Sequence, residues 1–538
     1  MTITARQVAA DVLHRSRARD GFAPELVDDA LARANLSPQD RRFVTQLVFG
    51  TMRRLGTLDA LLKPFIRTPL HAVEPRVWDA LRLGAFQLAF LTHVPKHAAV
   101  HETVELAPHV GAPKAKGFVN GVLRRVAELV TDDFTDAPAA NAVAFGWSDG
   151  SLIGSARPTP PAPLPERRGE KEPIGSNRAH GARTSVSPLP SGRGAGGVGE
   201  THARPERSTA DRSGRGARGV GRTTDAEHEP TLPTGRYRLL AQPLLPNPSA
   251  DPVGYFAAAH SFPKWLADRW HARYGADECA RLGFWFNAPP PLWIRVNKLN
   301  VDRETYRLQL AAGLIDAEPG EHPQSLRFTE HHGVRELPGY DDGDFAVQDH
   351  SSMLVASALG VRQGMRVLDL CAAPGGKTTH LAELMDNRGR VTACDIEQKR
   401  LDTVTTLCQR LKVKGVEAVQ IAPDGDPPAG PFDAALADVP CSNTGVLGRR
   451  PEVRWRMKPN EFEHLVRLQT RLLILALERV KPGGAVVYST CSIEPEENAG
   501  VVQSVCRGMR GVKLEAEHTA TPGAPSDGGY WARLRKPK

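Results

Sequence analysis

Residues 369–380 read DLCAAPGGKTTH. An apolar, strand-like run, MRVLDLC over 365–371, leads into this segment, and a helix-forming stretch follows it. Gly375 and Gly376 let the backbone turn tightly and approach a ligand closely. Pro374 stiffens the turn. The spacing is neither GxGxxG nor the longer GxxxxGK[ST] of a phosphate loop. A second strand, RVTACD over 390–395, ends in Asp395, 19 residues beyond Gly376. An acid at that offset suits the two hydroxyls of a ribose. The same letters also fit a plain helix-start turn and a strand-end acid. On these residues alone both readings stand.

Strand and helix patterns alternate outward from this loop, from Asp349 onward. This predicts an α/β domain over 346–538, doubly wound around a mostly parallel sheet. FDAALADVP (432–440) ends near Asp438 and is followed by Cys441. GGAVVYSTCS (483–492) ends near Cys491. Carboxyl ends of neighbouring parallel strands meet at one crevice. The glycine loop, Asp395, Asp438, Cys441 and Cys491 should all face it. A lone strand-end cysteine is ordinarily a small buried hydrophobe. Two of them beside an acid and a ligand loop point instead to nucleophilic chemistry.

DLCAAPGGKTTHLAE resembles the cofactor loop of the Nol1/Nop2/Sun group of RNA 5-methylcytosine methyltransferases. The resemblance implies S-adenosylmethionine as cofactor, lined by Cys371, Ala372, Ala373, Pro374, Gly375, Gly376 and Lys377, with Asp395 on the ribose. Cys371 is then a packing residue. The third cofactor contact in that family follows the third strand. Here the region reads VQIAPDGDPPAG (419–430) and departs from the usual GDAR-like string, which leaves Asp424, with Asp426 as the alternative. Carbon 5 of cytosine is a poor nucleophile, so its methylation calls for covalent catalysis: a thiolate adds to carbon 6 and activates carbon 5. Chemistry alone leaves Cys441 and Cys491 both open as the attacking thiol. The resemblance implies Cys491 as nucleophile and Cys441 as the helper in product release. It also implies that Asp438 hydrogen-bonds the base or the cofactor. The family's DAPCS is DVPCS here, a small packing change at Val439. Lys377 and ordered water are both candidates for the final base.

Upstream, residues 1–135 read as a helical bundle. Phe43, Val44, Leu47, Val48 and Met52 share one helical face, as do Phe118, Val119, Val122, Leu123, Val126 and Leu129. Residues 81–91 are apolar nearly all round, as for a buried central helix. Three arginine pairs, Arg41-Arg42, Arg53-Arg54 and Arg124-Arg125, read as solvated faces or as RNA contacts. QLVFGTMRRLGTLDALL (46–62), LRLGAFQLAFLTHVPKHAAVHETVELA (81–107) and KGFVNGVLRRV (116–126) resemble the NusB-type RNA-binding domain. A NusB-like domain ahead of such a catalytic domain is the arrangement of the Sun (RsmB) proteins, which methylate small-subunit ribosomal RNA.

Residues 143–235 change character. Pro, Gly, Ser and Arg dominate, and a glycine-arginine tract at 191–199 nearly repeats at 213–221. Too little apolar surface remains to offset the ordering entropy, so this is predicted to be a disordered insertion. From 239 to 345 a small α/β subdomain is expected. It has a capped helix over 261–275, a strand over 291–300 and a helix over 301–313. Later basic and aromatic segments, GVLGRRPEVRWR (445–456) and DGGYWARLRK (527–536), extend the resemblance. In the first of these, Arg449 and Arg450 suit RNA contact or a solvated turn, and Trp455 suits stacking or packing.

The totals bound these readings. With 538 residues the chain is too long for one core. Its net charge of +8 is weak evidence for a polyanionic partner, because residues 146–238 hold 15 Lys+Arg against 10 Asp+Glu and so carry five of those charges. No apolar run reaches a membrane span, and the first 20 residues lack a signal-peptide core. The 7 cysteines form no close CxxC pair, so neither zinc nor disulfides are predicted. The expectation is a cytoplasmic monomer without metal that methylates carbon 5 of a cytosine in 16S ribosomal RNA. Two alternatives stay open: a non-catalytic ribosome-assembly or antitermination factor, and a transfer-RNA cytosine methyltransferase.

Overall fold

The computed structural model describes residues 3–18, 21–147, 235–330, 332–523 and 525–538. Most of the predicted insertion, residues 148–234 with both glycine-arginine tracts, lies outside them.

The N-terminal domain comprises α1 (Ala5–Arg17), α2 (Ala23–Arg33), α3 (Pro38–Arg53), α4 (Leu55–Leu62), α5 (Pro75–Phe90), α6 (Lys96–Val104), α7 (Leu106–His109) and α8 (Lys116–Leu129). Helix α5 is the central one, with Leu81, Leu83, Ala85, Leu88 and Ala89 essentially inaccessible. It is apolar round its whole circumference because other helices surround it. The expected faces of α3 and α8 turn inward: Val44, Leu47, Val48, Val119, Leu123 and Val126 are buried.

At the borders expected at 135, 143 and 235 the structure places strands. The bundle gives way to β1 (Val130–Thr135), β2 (Ala142–Trp147) and β3 (Gly235–Leu240), a three-stranded antiparallel sheet in the order β1-β3-β2. Both edges of the predicted insertion are therefore paired strands, with Ala142 opposite Leu239. Buried Ala142, Val143 and Ala144 join the core of the bundle.

Helices α9 (Pro252–Ala259) and α10 (Lys264–Asn287) follow. The helix expected over 261–275 continues to Asn287, with a break at Gly275, whose φ is +79°. Ser261 does not cap it; its hydroxyl accepts from the backbone N–H of Gly56 at 2.8 Å. The expected 239–345 subdomain also divides differently. Tyr255, Ala259 and Phe284 pack into the helical bundle. A separate sheet, β5-β6-β4-β7, is built from β4 (Trp293–Val296), β5 (Ala317–Pro319), β6 (Ser325–Phe328) and β7 (Phe345–Val347). Helix α11 (Arg303–Ala312) covers it through Tyr306 and Leu310.

Helix α12 (His350–Ala358) opens the last domain. Its seven-stranded sheet contains β8 (Arg366–Asp369), β9 (Arg390–Asp395), β10 (Val416–Gln420), β11 (Phe432–Asp438), β12 (Val480–Thr490), β13 (Lys513–Ala520) and β14 (Gly529–Arg535) in the order β10-β9-β8-β11-β12-β14-β13. The first five strands are parallel, and β14 runs antiparallel to both β12 and β13. The connecting helices are α13 (Gly376–Leu384), α14 (Gln398–Arg410), α15 (Val453–Arg456), α16 (Glu461–Arg479) and α17 (Ala499–Gly508). Because helices cover both faces, the central strands read as continuous apolar runs: Ala434 to Ala437 and Val486 to Tyr488 are all buried. The winding reverses between β8 and β11, and the crevice at such a switch point is where this architecture takes ligands. This is the expected α/β class, with a helical domain ahead and a small α/β unit between. No helix among the described residues is long and apolar enough to cross a membrane.

Candidate active site

Register explains why the two thiols meet. Strands β11 and β12 pair in parallel with Asp438 opposite Ser489. Cys441 lies three residues beyond that row and Cys491 two beyond it. Their sulfurs are 3.3 Å apart. Asp438 stands beside them, fixed by Ser489 Oγ donating at 2.6 Å and by Lys377 Nζ at 2.7 Å. Lys377 comes from the first turn of α13, so the glycine loop and the thiol pair share one ion pair.

The loop itself is shaped by Gly375, whose φ of +104° is left-handed, a region that favours glycine. A Cβ at Gly376 would meet nothing within 4 Å, so the backbone there is open to a ligand. The Asp395 carboxylate, 3% exposed, accepts from the Arg400 guanidinium at 3.1 Å and from the Ala373 N–H at 3.4 Å. Thr378 donates to Asp369 at 2.7 Å, while Asp369 Oδ1 has no hydrogen-bond partner among the described residues. Burial pushes that carboxyl up to about 7. Burial, with Asp369, Asp438 and Asp395 around it, also pushes the Cys371 thiol up, so Cys371 packs and stays protonated. A crevice edged by carboxylates and opened by glycine fits a nucleoside bearing a positive centre.

The two strand-end thiols differ. Cys441 is buried and its S–H donates toward Cys491, which raises Cys441; burial and Glu497 add to that. Cys491 is lowered, first by the bond from Cys441 and then by Arg450 and Lys377, against its own burial. Cys491 also lies 3.2 Å from Asn443 Oδ1, which Arg450 reaches at the same distance.

Asp424 and Asp426 are not brought to this cluster. Asp424 has a 95% exposed side chain paired with Arg471 of α16, and Asp426 pairs with Arg479. The loop after β10 follows the edge strand of the sheet, with Arg471 and Arg479 of α16 against it.

Several residues that the sequence reading passed over hold the site. Glu497, fully buried, accepts from Ser442 and Ser492, one in each thiol loop. Arg295 of β4, also fully buried, grips α13 through Glu383 at 2.6 Å, Thr379 at 3.0 Å and the Gly376 carbonyl at 2.8 Å. A charge inside the apolar strand WIRV was the available signal. The basic loop 445–456 is a buried junction. Arg449 pairs with Asp527 and, at 3.0 Å, with Asp349. Arg454 is inaccessible, and Trp455 abuts Gly56 of the helical domain. Arg53 and Arg54 are buried as well, donating to the carbonyls of Gly448 and of Ala144 and Phe145. Arg53, Arg54 and Arg454 are thus buried struts, while Arg449 keeps 28% of its side chain exposed.

The family described as 16S rRNA methyltransferase RsmB/F matches residues 356–528, the NusB family 3–128, and the RsmF/B-like ferredoxin-like domain 262–335. The ribosomal RNA small subunit methyltransferase B of Sodalis glossinidius is 28% identical over 554 residues, covering 100% of this chain and 98% of that protein. One crystal structure aligns over 100% of both chains with a TM-score of 0.68 at 20% identity, a likeness of fold. The probable ribosomal RNA small subunit methyltransferase B of Synechocystis sp. is 30% identical over 506 residues, 93% of this chain and 88% of that protein. With that identity sustained across all three domains, the chain belongs to the ribosomal RNA small subunit methyltransferase B family.

Proposed function

We propose that this chain methylates carbon 5 of a cytosine in 16S ribosomal RNA through a covalent bond from Cys491 to carbon 6 of the base. The observation that carries this reading is the thiol pair, 3.3 Å apart beside the Lys377–Asp438 ion pair at the switch point. S-adenosylmethionine, held along residues 371–377 with its ribose on Asp395, would supply an electrophilic methyl group. Asp424 is left out of that set, because its side chain points to Arg471 and solvent.

The protein's own groups divide the remaining work. Cys491, assisted by the Cys441 S–H and the cations Lys377 and Arg450, presents a thiolate to carbon 6. That addition moves electron density to carbon 5. Asp438, fixed by Ser489 and Lys377, offers its carboxylate to the polar edge of the base. After methylation the carbon 5 proton leaves to a base. The electrons of that C–H bond restore the ring double bond as the Cys491–carbon 6 bond breaks. Cys441 hands a proton to the departing sulfur. The target must leave its stack to be reached from both sides, so looped or single-stranded RNA suits the crevice.

In methyl-transfer assays with small-subunit RNA, Cys491→Ala should abolish product. Cys441→Ala should accumulate a protein–RNA adduct that survives denaturing electrophoresis. Full activity of Cys491→Ala would overturn the assignment. Bisulfite mapping of ribosomal and transfer RNA from a deletion strain separates the substrates: loss of one ribosomal 5-methylcytosine is expected, and loss at a transfer-RNA site would sink the ribosomal reading.

A further inference from the structure

The two thiols share one crevice, yet only one can attack while the other must keep its proton. Glu497 lies directly behind them. Its carboxylate collects four donors, all neutral: the Ser442 N–H at 2.9 Å, the Ser442 hydroxyl, the Gln469 amide at 2.9 Å and the Ser492 hydroxyl at 2.5 Å. Its own carbonyl accepts from Tyr488 OH at 2.5 Å. Gln469 also donates to the carbonyl of Pro440, the residue before Cys441, at 2.9 Å. Ser442 and Ser492 each follow one of the cysteines, and their hydroxyl oxygens lie 3.0 Å apart.

We infer that Glu497 is the positioning residue that gives the two thiols different roles. It locks both cysteine loops into one register, and its buried charge holds Cys441 in the protonated form while Cys491 ionises. This rests on the reading of Cys491 as nucleophile.

The charges on each side agree with that division. Cys491 is faced by Lys377 and Arg450, with Asp438 opposing them. Cys441 is faced by Cys491 and Glu497, with the Asn443 backbone N–H opposing them, and the buried Tyr488 phenol adjoins it. A cationic side and an anionic side thus meet across the 3.3 Å sulfur contact. The carboxylate reaches the chemistry only through Ser442, Ser492 and the thiols, so it has no contact of its own with the base.

The test compares full-length wild type, Glu497→Gln and Glu497→Asp. Each is alkylated with iodoacetamide across a pH series, and labelling at Cys441 and Cys491 is read separately by peptide mass spectrometry. In wild type Cys491 should label first as pH rises. In Glu497→Gln the profile of Cys441 should move down by about one pH unit, narrowing the gap. Single-turnover methylation should fall about tenfold, with RNA affinity unchanged. Glu497→Asp keeps the charge, so its Cys441 should stay slow to label even where the shorter side chain costs activity.

Unchanged profiles for both thiols in Glu497→Gln would reduce Glu497 to a structural brace. If that variant does not fold, the wild-type profile still decides, since Cys441 labelling before or together with Cys491 overturns the proposal. The labelling is read without turnover. A failure of the nucleophile assignment appears instead as active Cys491→Ala, which keeps the two outcomes apart.

Discussion

Arg53-Arg54 and Arg124-Arg125 look alike as sequence: paired arginines at helical positions of one domain. Their surroundings are opposite. Arg53 and Arg54 are 7% and 5% exposed, with their guanidinium groups on backbone carbonyls, one of them that of Gly448 in the catalytic domain's 445–456 loop. Arg124 and Arg125 both stand exposed on α8. The first region is a junction in which arginines act as rigid multi-donor struts, and the second is a charged surface. Positive charge in a nucleic-acid enzyme therefore does not by itself mark a nucleic-acid contact. The guanidinium fork, with its five donors, is equally suited to tying loops together by their carbonyls.

Arg454 takes the junction role furthest, and its removal should have the largest effect. Nη1 donates to the carbonyls of Arg53 and Ser261 at 3.1 and 3.3 Å and to Asn287 Oδ1 at 2.9 Å, and Nη2 to the Phe286 carbonyl at 2.6 Å. Its planar group also stacks 4.3 Å from the Phe262 ring centroid. Arg454→Ala strands those buried acceptors and should cost about 3 to 5 kcal/mol in urea unfolding. Arg454→Lys should recover little, since one ammonium cannot span the same acceptors. A loss below about 1 kcal/mol would break the contrast between strut and surface.

These fates also mark where reading the letters stopped. The crevice was legible because its determinants are local: glycines at a strand-to-helix turn, acids and thiols just past apolar strands. The sheet was legible for the same reason, since strands buried on both faces carry unbroken apolar runs such as AVVY before Cys491. The junction was not. Arg454 and its acceptor Arg53 are 401 residues apart, and no local pattern announces that pairing. Glu497 reads as one of two acids in PEEN, and only the fold separates it from exposed Glu496. Asp424 is the converse case. Its offset in the chain matches a ligand role, but the sheet edge leaves its side chain in solvent.

A smaller effect is expected where the junction touches the site itself. Phe22, the residue before α2, lies 4.6 Å from the Arg450 guanidinium, and Arg450 reaches Asn443 beside Cys491. Phe22→Ala removes the cation–π contact with Arg450, worth about 1 kcal/mol, and a longer one with Arg456 at 6.0 Å; the first is roughly fivefold in rate if all of it serves to place Arg450. Single-turnover methylation should slow by that order while the dissociation constant for RNA holds. A change in RNA affinity alone would mean that this edge of the helical domain meets substrate instead of positioning the thiol loops.

The exposed pair should give the smallest loss under ordinary buffer conditions and the clearest signature in salt. Arg124 lines a groove between α6 and α8 with Lys96, His97, His101 and Asn120. Each phosphate that an arginine neutralises there releases condensed counterion. Removing both side chains in Arg124→Ala/Arg125→Ala should therefore lower the slope of log affinity against log salt by roughly one to two. Methylation at saturating RNA should be unchanged, because neither side chain touches the thiol loops, and unfolding in urea should shift by less than about 0.5 kcal/mol, as for exposed substitutions generally. An unaltered salt slope would make this surface as silent toward RNA as the junction. The helical domain would then serve the catalytic domain through its struts alone.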